Sequence, residues 1–301
     1  MRTYFDTATM YYRAFFAVPE SITAPDGTPS GAVRGFLDMA ATLLTQFPAR
    51  EVCFAWDDDW RPEWRVALLP SYKAHRVDEA SVTGEVVEEV PDLLAPQIDA
   101  IARILDAIGV ARIGHVGHEA DDILGALVAA HGGPARVVTG DRDLFQLVDD
   151  AADVAVVSIT KGVKKLEVVT DTWLLERYGV RGAQYADFAA FRGDPSDGLP
   201  GVKGVGEKTA ASLIDRYGSL TGVLDAVAAA DPGLTPAMRM RIMAATGYLE
   251  RAQQVVRVRT DAPLPASVQV PAATADQEAL DALAADWGVT KHVGRLLAAI
   301  R

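Results

Sequence analysis

The feature that most constrains the fold is a regular alternation between short apolar runs and amphipathic segments. The apolar runs are RTYF (2–5), EVCFAW (51–56), ARIGHV (111–116), RVVTG (136–140) and DVAVVSI (153–159). Apolar residues at three- and four-residue spacing fill the stretches 32–46, 97–108 and 121–131. Alternating strand and helix patterns of this kind predict a mostly parallel central sheet covered by helices on both faces, an α/β fold.

Acidic residues stand at or just beyond the ends of these runs, and two more stand in the loop FRGDPSDGLPG. The full set is Asp6, Asp57, Glu119, Asp121, Asp122, Asp141, Asp143, Asp194 and Asp197. Each acid alone is explained as a helix cap or a turn residue. Because ligands of such sheets bind beyond the carboxyl ends of the strands, acids at every junction favour one shared site.

The charge of the chain at first argues against a nucleic-acid partner, since the formal net charge is −12. Setting the nine junction acids aside leaves 32 of the 41 acidic residues against 29 basic ones, so most of the excess belongs to the predicted site. Crowded carboxylates repel one another unless cations intervene, and hard oxygen ligands suit Mg²⁺ or Mn²⁺. Two or three such ions would favour hydrolysis of a phosphodiester.

Length and composition exclude several other classes. A chain of 301 residues is expected to form one large α/β domain or a main domain with an appendage. No stretch approaches the roughly 20 apolar residues of a membrane helix. The single cysteine, Cys53, lies in an apolar run and is interpreted as a core residue. We therefore expect a protein without a membrane partner, located in the cytoplasm.

The pattern along the chain predicts three regions. An α/β core spans 1–170, with a helical excursion at about 60–95 and the second arm of a hairpin at 161–170. A helical subdomain spans 171–260. A connector and a last helix at 276–300 complete the chain over 261–301.

A glycine-rich segment, GVKGVGEKTAASLI, requires separate interpretation. A P-loop needs contiguous Gly-Lys-Ser/Thr, but Glu207 separates Gly206 from Lys208. A dinucleotide fingerprint fails too, because the glycines at 201, 204 and 206 have the wrong spacing. What remains is a glycine-tightened turn into a helix, whose free amides, with Lys203 and Lys208, can hold a phosphate.

Six motifs together resemble the 5′-nuclease family, which includes flap endonucleases, phage 5′ exonucleases and, above all, the N-terminal 5′-3′ exonuclease domain of bacterial DNA polymerase I. The motifs are FDTATMYYRAFFAVP (5–19), FAWD (54–57), YKAHR (72–76), EADDILG (119–125), TGDRDLFQLV (139–148) and GDPSDGLPGVKGVGEKTAASLI (193–214). The resemblance implies a PIN-like nuclease core, a helical arch at 60–95 and a helix-turn-helix element at about 195–217 that binds DNA.

The resemblance also implies roles for individual residues. Around a first metal it places Asp6, Asp57, Glu119 and Asp121, with Asp122 beside them. Around a second it places Asp141, Asp143, Asp194 and Asp197. It implies phosphate contacts, and thus catalytic roles, for Lys73, Arg76 and Arg13, and a base-stacking platform at Tyr72. Without the resemblance, Lys73 and Arg76 would be interpreted as a solvated helix face and Tyr72 as half-buried packing.

On the turn, the resemblance implies contacts with duplex DNA and a potassium site. The DNA-binding candidates are Lys203, Gly204, Gly206, Lys208 and Thr209. The candidate K⁺ ligands are the backbone carbonyls of Val202 and Val205.

The function predicted from these residues is a structure-selective 5′ flap endonuclease and 5′-3′ exonuclease that leaves 5′-phosphate products. Its expected substrates are DNA with 5′ flaps, gaps or free 5′ ends. We expect a stand-alone monomer, associated with the nucleoid, that works beside a separate DNA polymerase and ligase. Two alternatives stay open: a non-catalytic paralogue that binds branched DNA, and a PIN-type ribonuclease.

Three features depart from the family pattern. Thr7 and Gly198 follow metal-binding aspartates where the family commonly has Gly and Asn, and neither change removes a ligand. The stretch 78–92 is acidic and poor in basic residues, which leaves open how strongly the arch contacts single strands.

Overall fold

The structure of the protein is a computed structural model that describes residues 1–77, 88 and 90–300. Its centre is a six-stranded sheet in the order β3-β2-β1-β4-β5-β6. The strands are β1 (Arg2–Asp6), β2 (Glu51–Ala55), β3 (Ala111–Ile113), β4 (Ala135–Thr139), β5 (Val154–Ser158) and β6 (Glu167–Val169). All neighbouring strands are parallel except β6, which pairs antiparallel with β5 as the second arm of a hairpin. The predicted α/β fold class is therefore confirmed.

Helices cover the sheet and continue beyond it. Those of the first half are α1 (Thr7–Ala17), α2 (Gly31–Gln46), α3 (Glu63–Leu68), α4 (Ala95–Ile108) and α5 (Ala120–His131). After β6 follow α6 (Asp171–Tyr178), α7 (Gly182–Arg192), α8 (Glu207–Tyr217), α9 (Leu220–Ala228) and α10 (Pro236–Val256). The last helices are α11 (Gln277–Asp286) and α12 (Thr290–Ile300). None of the helices in the described ranges is long and apolar enough to cross a bilayer.

Two apolar cores lie on opposite faces of the sheet because successive strand residues point in opposite directions. Tyr4 and Cys53 face the core shared with α5, α7 and α10. Phe5 and Phe54 face the core shared with α1, α2, α4, α11 and α12, and their rings stack with centroids 4.7 Å apart. Cys53 is fully buried, as its apolar context predicted.

The order of the strands determines where a ligand can bind. From the central strand β1, the chain passes to β2 and β3 on one side and then to β4 and β5 on the other. Ligands of open α/β sheets bind in the crevice at this switch point, beyond the carboxyl ends of the strands. Asp6 ends β1 and Asp141 follows β4, so both predicted ligands border the crevice.

The predicted excursion at 60–95 contains the short helix α3 and one turn of 3-10 helix at Ala74–Arg76. Residues before the gap pack against the loop that follows α7: the Lys73 amide donates to the Asp197 carbonyl at 3.1 Å, and the Ser71 hydroxyl to the Gly198 carbonyl at 2.9 Å. Most of the acidic stretch 78–92 lies outside the described residues. The arch over this stretch therefore stays a prediction, as do the domain boundaries.

The prediction of one continuous helix at 276–300 is wrong. The chain forms α11 and α12 with a break at 287–289, where Gly288 has a φ of +64°. Glycine adopts this left-handed conformation at little cost and commonly ends a helix. The break turns α12 onto α2, where Val293, Leu296 and Ile300 enter the apolar core.

Candidate active site

The end of β1 delivers Asp6 to the switch point, where its carboxylate is held by neighbouring hydroxyls and an amide. Asp6 is the N-cap of α1 and accepts the Thr9 amide at 3.1 Å. It also accepts the Thr139 hydroxyl, from the end of β4, at 2.6 Å. This bond ties the ends of the two central strands together at the crevice.

The first residues of α5 bring a second group of acids to the same place. Glu119 is the N-cap of α5 and is almost fully buried. The Asp57 carboxylate, just beyond β2, accepts the Ala120 amide of the first helical turn at 2.7 Å. A helix N-terminus stabilises nearby negative charge, so α5 collects carboxylates from two strand ends.

A third group of acids follows β4 and α7. The Asp143 amide donates to the Asp141 carboxylate at 2.8 Å, so these two acids share a tight turn. Asp194 accepts the Ser196 amide at 2.9 Å, and Asp197 pairs with Arg76 at 2.9 Å. Gly198 has a φ of +72°, and a side chain there would lie 2.1 Å from the Ser71 carbonyl oxygen, so glycine is needed where the family commonly has Asn.

These groups surround one cavity of about 450 Å³. Its acidic lining residues are Asp6, Asp57, Glu119, Asp121, Asp141 and Asp194, together with Glu88. Its basic lining residues are Arg13, Lys73, Arg76 and Arg142. Thr9, Tyr12 and Trp60 also line it. The structure thus brings six of the nine predicted carboxylates and all three predicted phosphate contacts to one site. Asp122, Asp143 and Asp197 are buried and are not among the lining residues.

The pKa shifts of these carboxyls reflect burial first and mutual repulsion second. Burial raises the pKa of Asp57 to about 7, helped by the charges of Glu119 and Asp6 and opposed by Lys73. The pKa of Asp141 is raised to about 6 by burial and by Asp197. Burial and Asp141 raise the pKa of Asp121 well above its usual range. Without cations, this cluster therefore resists full ionisation.

A divalent ion fits this cavity by the chemistry of its donors. Buried carboxylate oxygens are ligands for hard cations such as Mg²⁺ or Mn²⁺. Oδ1 of Asp143 is buried with no hydrogen-bond partner. Burial and the charges of Asp141, Asp197 and Asp194 raise the pKa of Asp143 well above its usual range, and a bound cation would offset that repulsion. Over the described ranges no three side chains already form an ion-sized cage. Several of the acids instead face hydroxyls or basic groups, so an ion would compete with Lys73 for Glu119.

Asp122 is a correction to the predicted ligand set. Its side chain is fully buried, is paired with Arg65 at 2.7 Å, and accepts four hydrogen bonds from protein donors, so it has no free acceptor site for an ion. Adjacent helical residues point in different directions, so Asp121 faces the cavity while Asp122 faces the interior. The prediction that Asp122 lies beside a metal is therefore wrong.

The structure also corrects the predicted role of Tyr72 as a base-stacking platform. This tyrosine is 4 % exposed, and its hydroxyl donates to Glu119 at 2.9 Å. A buried ring offers no face for a nucleobase, so the predicted stacking platform is wrong. The sequence signal was misleading because YKAHR shows three polar neighbours, whereas its tyrosine packs into the apolar core.

The three predicted phosphate contacts, Lys73, Arg76 and Arg13, differ in their hydrogen-bond and ion-pair partners. Lys73 is buried and forms an ion pair with Glu119. Arg76 pairs with Asp197, and Arg13 donates to the Thr160 carbonyl at 2.7 Å. Arg142, which the sequence reasoning missed, also borders the cavity and is 3.6 Å from Asp194. Its place between two cluster acids in GDRD was the signal that could have identified it.

The glycine-rich turn lies between α7 and α8, and its polar residues are available to a ligand. Lys203, Gly204, Gly206 and Lys208 are exposed, and Thr209 is half-buried in the first turn of α8. The side chains of the two valines are buried, which leaves only their backbone available. The Val202 carbonyl already accepts the Val205 amide at 2.9 Å. The DNA and potassium roles of this turn stay predictions.

The fold and the cavity define a class: an α/β protein with an acidic active site at the switch point of a mostly parallel sheet. The family model "5'-3' exonuclease, N-terminal resolvase-like domain" matches residues 3–179. The model "5'-3' exonuclease, C-terminal SAM fold" matches residues 180–278. The chain therefore belongs to the 5'-3' exonuclease family and is a nuclease.

Individual relatives agree with this assignment. A 5'-3' exonuclease of Streptomyces coelicolor is 52% identical over 293 residues, which cover 97% of each chain. DNA polymerase I of Mycobacterium bovis is 39% identical over 241 residues, 79% of this chain and 25% of the polymerase. The second match supports the predicted resemblance to the exonuclease region of that enzyme.

Among solved structures, a complex of the bacteriophage T5 flap endonuclease with DNA and metal ions has a similar fold. The TM-score is 0.64 and the identity 18%, with 99% of this chain and 98% of that chain covered. At this identity the likeness establishes the fold alone. It extends over the whole chain, so the helical region after β6 shares the architecture as well.

Proposed function

We propose that this chain hydrolyses phosphodiesters at the 5′ ends and 5′ flaps of DNA, using divalent cations held by the carboxylate cluster. The observation that carries the proposal is the cavity at the switch point, which combines six predicted acidic ligands with four basic side chains. Acids alone would repel a phosphodiester, but cations between them and the arginines beside them attract one. The T5 relative's complex with DNA and metal ions supports the same substrate and cofactor class.

In this proposal the acidic residues of the site bind cations and the basic residues bind the phosphate. Asp6, Asp57, Glu119 and Asp121 would hold one ion, and Asp141, Asp143, Asp194 and Asp197 would hold a second. Bound ions supply an activated water and stabilise charge on the leaving oxygen. Arg13, Arg76 and Arg142 would orient the phosphate by charge-assisted hydrogen bonds. Lys73, which pairs with Glu119 and lines the cavity, would contact the scissile phosphate.

Duplex DNA would dock on the turn before α8. Lys203 and Arg241 border a groove of about 530 Å³ between this turn and α10. The exposed Lys208 and the free amides at the start of α8 favour a backbone phosphate. A potassium ion held by the carbonyls of Val202 and Val205 would strengthen that contact. These interactions address the backbone, so cleavage would depend on DNA structure and not on base sequence.

Cleavage of end-labelled 5′-flapped DNA tests the proposal. We expect 5′-phosphate products in Mg²⁺ or Mn²⁺ and none after chelation. An RNA flap of the same geometry separates the PIN-type ribonuclease, which would cut it preferentially. Binding without cutting by pure, folded protein in both metals would indicate the non-catalytic alternative and refute the proposal.

The setting of this activity is also proposed. The enzyme would act as a monomer in the cytoplasm, on nucleoid DNA. Its 5′-phosphate product is the end that a ligase consumes, and the gap it leaves is filled by a polymerase. A size-exclusion profile of the purified chain with and without flap DNA tests the monomer, which a concentration-dependent dimer would contradict.

A further inference from the structure

Arg65 and Asp122 form a buried ion pair that does not line the cavity but contacts Glu119, which does. Arg65 is 2 % exposed and donates both terminal nitrogens to Asp122, at 2.9 and 2.7 Å. The same guanidinium lies 3.2 Å from Glu119, the predicted metal ligand. A bidentate pair fixes both distance and angle, so Arg65 is held in one orientation against Glu119.

Asp122 is fully occupied by protein donors. Besides the two bonds from Arg65, it accepts the Glu119 amide at 3.1 Å and the Arg259 amide at 2.8 Å. An ionised carboxylate has about four lone-pair sites, so no acceptor capacity is left for a metal ion. Its chemistry here is to hold the backbone of Glu119 and the orientation of Arg65.

Tyr72 is the second interior residue, besides Arg65, that contacts the carboxylate of Glu119. Its hydroxyl lies 2.9 and 3.1 Å from the two oxygens of Glu119, and the ring is buried. Glu119 is therefore held by Tyr72 and Arg65 from the interior, while Lys73 approaches it from the cavity. A carboxylate that is already oriented by hydrogen bonds from the protein interior loses little conformational entropy when it binds an ion.

The network also joins Glu119 to the helical subdomain. Arg65 Nε donates to the carbonyl of Val255 in the last turn of α10, at 3.1 Å. Earlier in the same helix, the Tyr248 hydroxyl accepts the Gly201 amide of the glycine-rich turn at 3.0 Å. Helix α10 thus contacts both the proposed duplex-docking turn and Arg65, which in turn contacts Glu119.

We propose that Arg65, Asp122 and Tyr72 are positioning residues, which orient Glu119 for cation binding and fix it relative to the end of α10. This inference rests on the proposed function, since it takes Glu119 to be a metal ligand. Groups that orient metal ligands through hydrogen bonds change metal affinity or activity by about 10- to 100-fold when removed. None of the three needs to contact the substrate.

The decisive variant is Tyr72→Phe, which removes one hydroxyl and leaves the buried ring and all charges in place. Tyr217→Phe is its matched control, because the Tyr217 hydroxyl is 3.2 Å from the carboxylate of Asp231, which does not line the cavity. Arg65→Lys keeps the charge but loses the bidentate contact with Asp122. Its control is Arg2→Lys, because Arg2 forms an ion pair with Glu51 at 3.0 Å outside the cavity lining. Melting temperatures of the metal-free proteins report folding.

Mn²⁺ binding to the metal-free proteins is measured by calorimetry and by metal-induced thermal shift. We expect about a tenfold weaker Mn²⁺ affinity for Tyr72→Phe, an equal or larger loss for Arg65→Lys, and no change in either control. Flap affinity in chelator should be unchanged in Tyr72→Phe, and its cleavage rate should recover as Mn²⁺ is raised. Wild-type Mn²⁺ affinity in a folded Tyr72→Phe would overturn the inference, even if Arg65→Lys fails to fold.

A second outcome separates this inference from the proposed function. If the wild-type chain binds no Mn²⁺ and cuts no flap, the proposed function fails and the inference with it. If the wild-type chain binds and cuts normally while Tyr72→Phe and Tyr217→Phe lose the same affinity, only the inference fails.

Discussion

At the scale of single residues, burial raises the pKa values of carboxyls that face the cavity. Bound cations would lower these pKa values again. Asp57 and Asp141 have pKa values raised to about 7 and about 6, mainly by burial. The same residues are predicted metal ligands. Stability of the metal-free chain and metal binding are therefore linked through the same carboxyls.

This linkage predicts a pH-dependent effect of Asp57→Asn on the metal-free protein. Because the folded state raises the pKa of Asp57 from 3.8, protonated Asp57 stabilises the fold at low pH, and this stabilisation is lost as the pH rises to about 7. Asn mimics the neutral acid and can still accept the Ala120 amide. We expect the variant to melt slightly above the wild-type temperature at pH 4, near the unfolded pKa, and by several degrees more than this at pH 8, measured by calorimetry in chelator.

The control for this experiment is Asp58→Asn, one residue along and exposed. The melting temperature of Asp58→Asn should differ from that of the wild type by the same small amount at the low pH and at pH 8. Addition of Mn²⁺ should raise the melting temperature of the wild-type chain more than that of Asp57→Asn. An Asp57→Asn difference that shrinks between pH 4 and pH 8 would contradict the assignment.

A second residue-scale prediction concerns chemistry. Asp121→Asn or Asp141→Asn removes one charged ligand, and loss of a few kcal/mol of transition-state stabilisation lowers kcat by about 100-fold or more. Flap affinity should fall much less, because in our proposal the turn before α8 supplies most of the duplex contact. Single-turnover cleavage and fluorescence anisotropy measure the two quantities. The exposed Asp99→Asn on α4 is the control, and equal losses in rate and affinity would refute the ligand role.

At the scale of elements, the N-terminus of α8 presents an exposed lysine and free amides to solvent. Replacing Lys208 with Ala should weaken flap binding and lower the slope of log affinity against log salt by about one unit, because one fewer counterion is released. Lys291 on α12 is equally exposed and lies across the sheet, so Lys291→Ala should leave the slope unchanged. Titrations at several salt concentrations measure it, and equal slopes in wild type and Lys208→Ala would mean that the lysine is only solvated.

At the scale of the whole molecule, the end of the chain returns to complete the core beside β1. Leu296 on α12 is fully buried against the cluster that includes α2 and Phe5. Truncation to Ala should destabilise the fold by about 2–5 kcal/mol through lost burial and the cavity left behind. In a chain of this size that corresponds to a melting temperature lower by about 3–8 °C.

The matched control is Leu175→Ala on α6, since this leucine is 40 % exposed. It should change the melting temperature by no more than about 2 °C, because surface substitutions alter stability by about 0.5 kcal/mol. Equal effects of the two substitutions would show that α12 is not part of the cooperative core.

Periodicity determined the order of strands and helices, because the spacing of apolar residues follows from which faces are buried. It also located the acids, since residues that follow parallel strands meet at one edge of the sheet. It could not separate Asp121 from Asp122. That distinction depends on Arg65, which is 57 residues away along the chain from Asp122 and meets it only in the folded protein.

Tyr72 and Gly288 show the same limit. A tyrosine beside basic residues suits a stacking surface as well as a buried hydrogen bond, and only the apolar core around it decides between them. A glycine within a helical pattern is tolerated or ends the helix, according to whether the next segment has a surface to pack on. The sequence by itself determined the family, the sheet and the acidic site, because these follow from local patterns. Tertiary structure decided which side chains face the cavity, because burial and charge pairing join residues that are far apart in the chain.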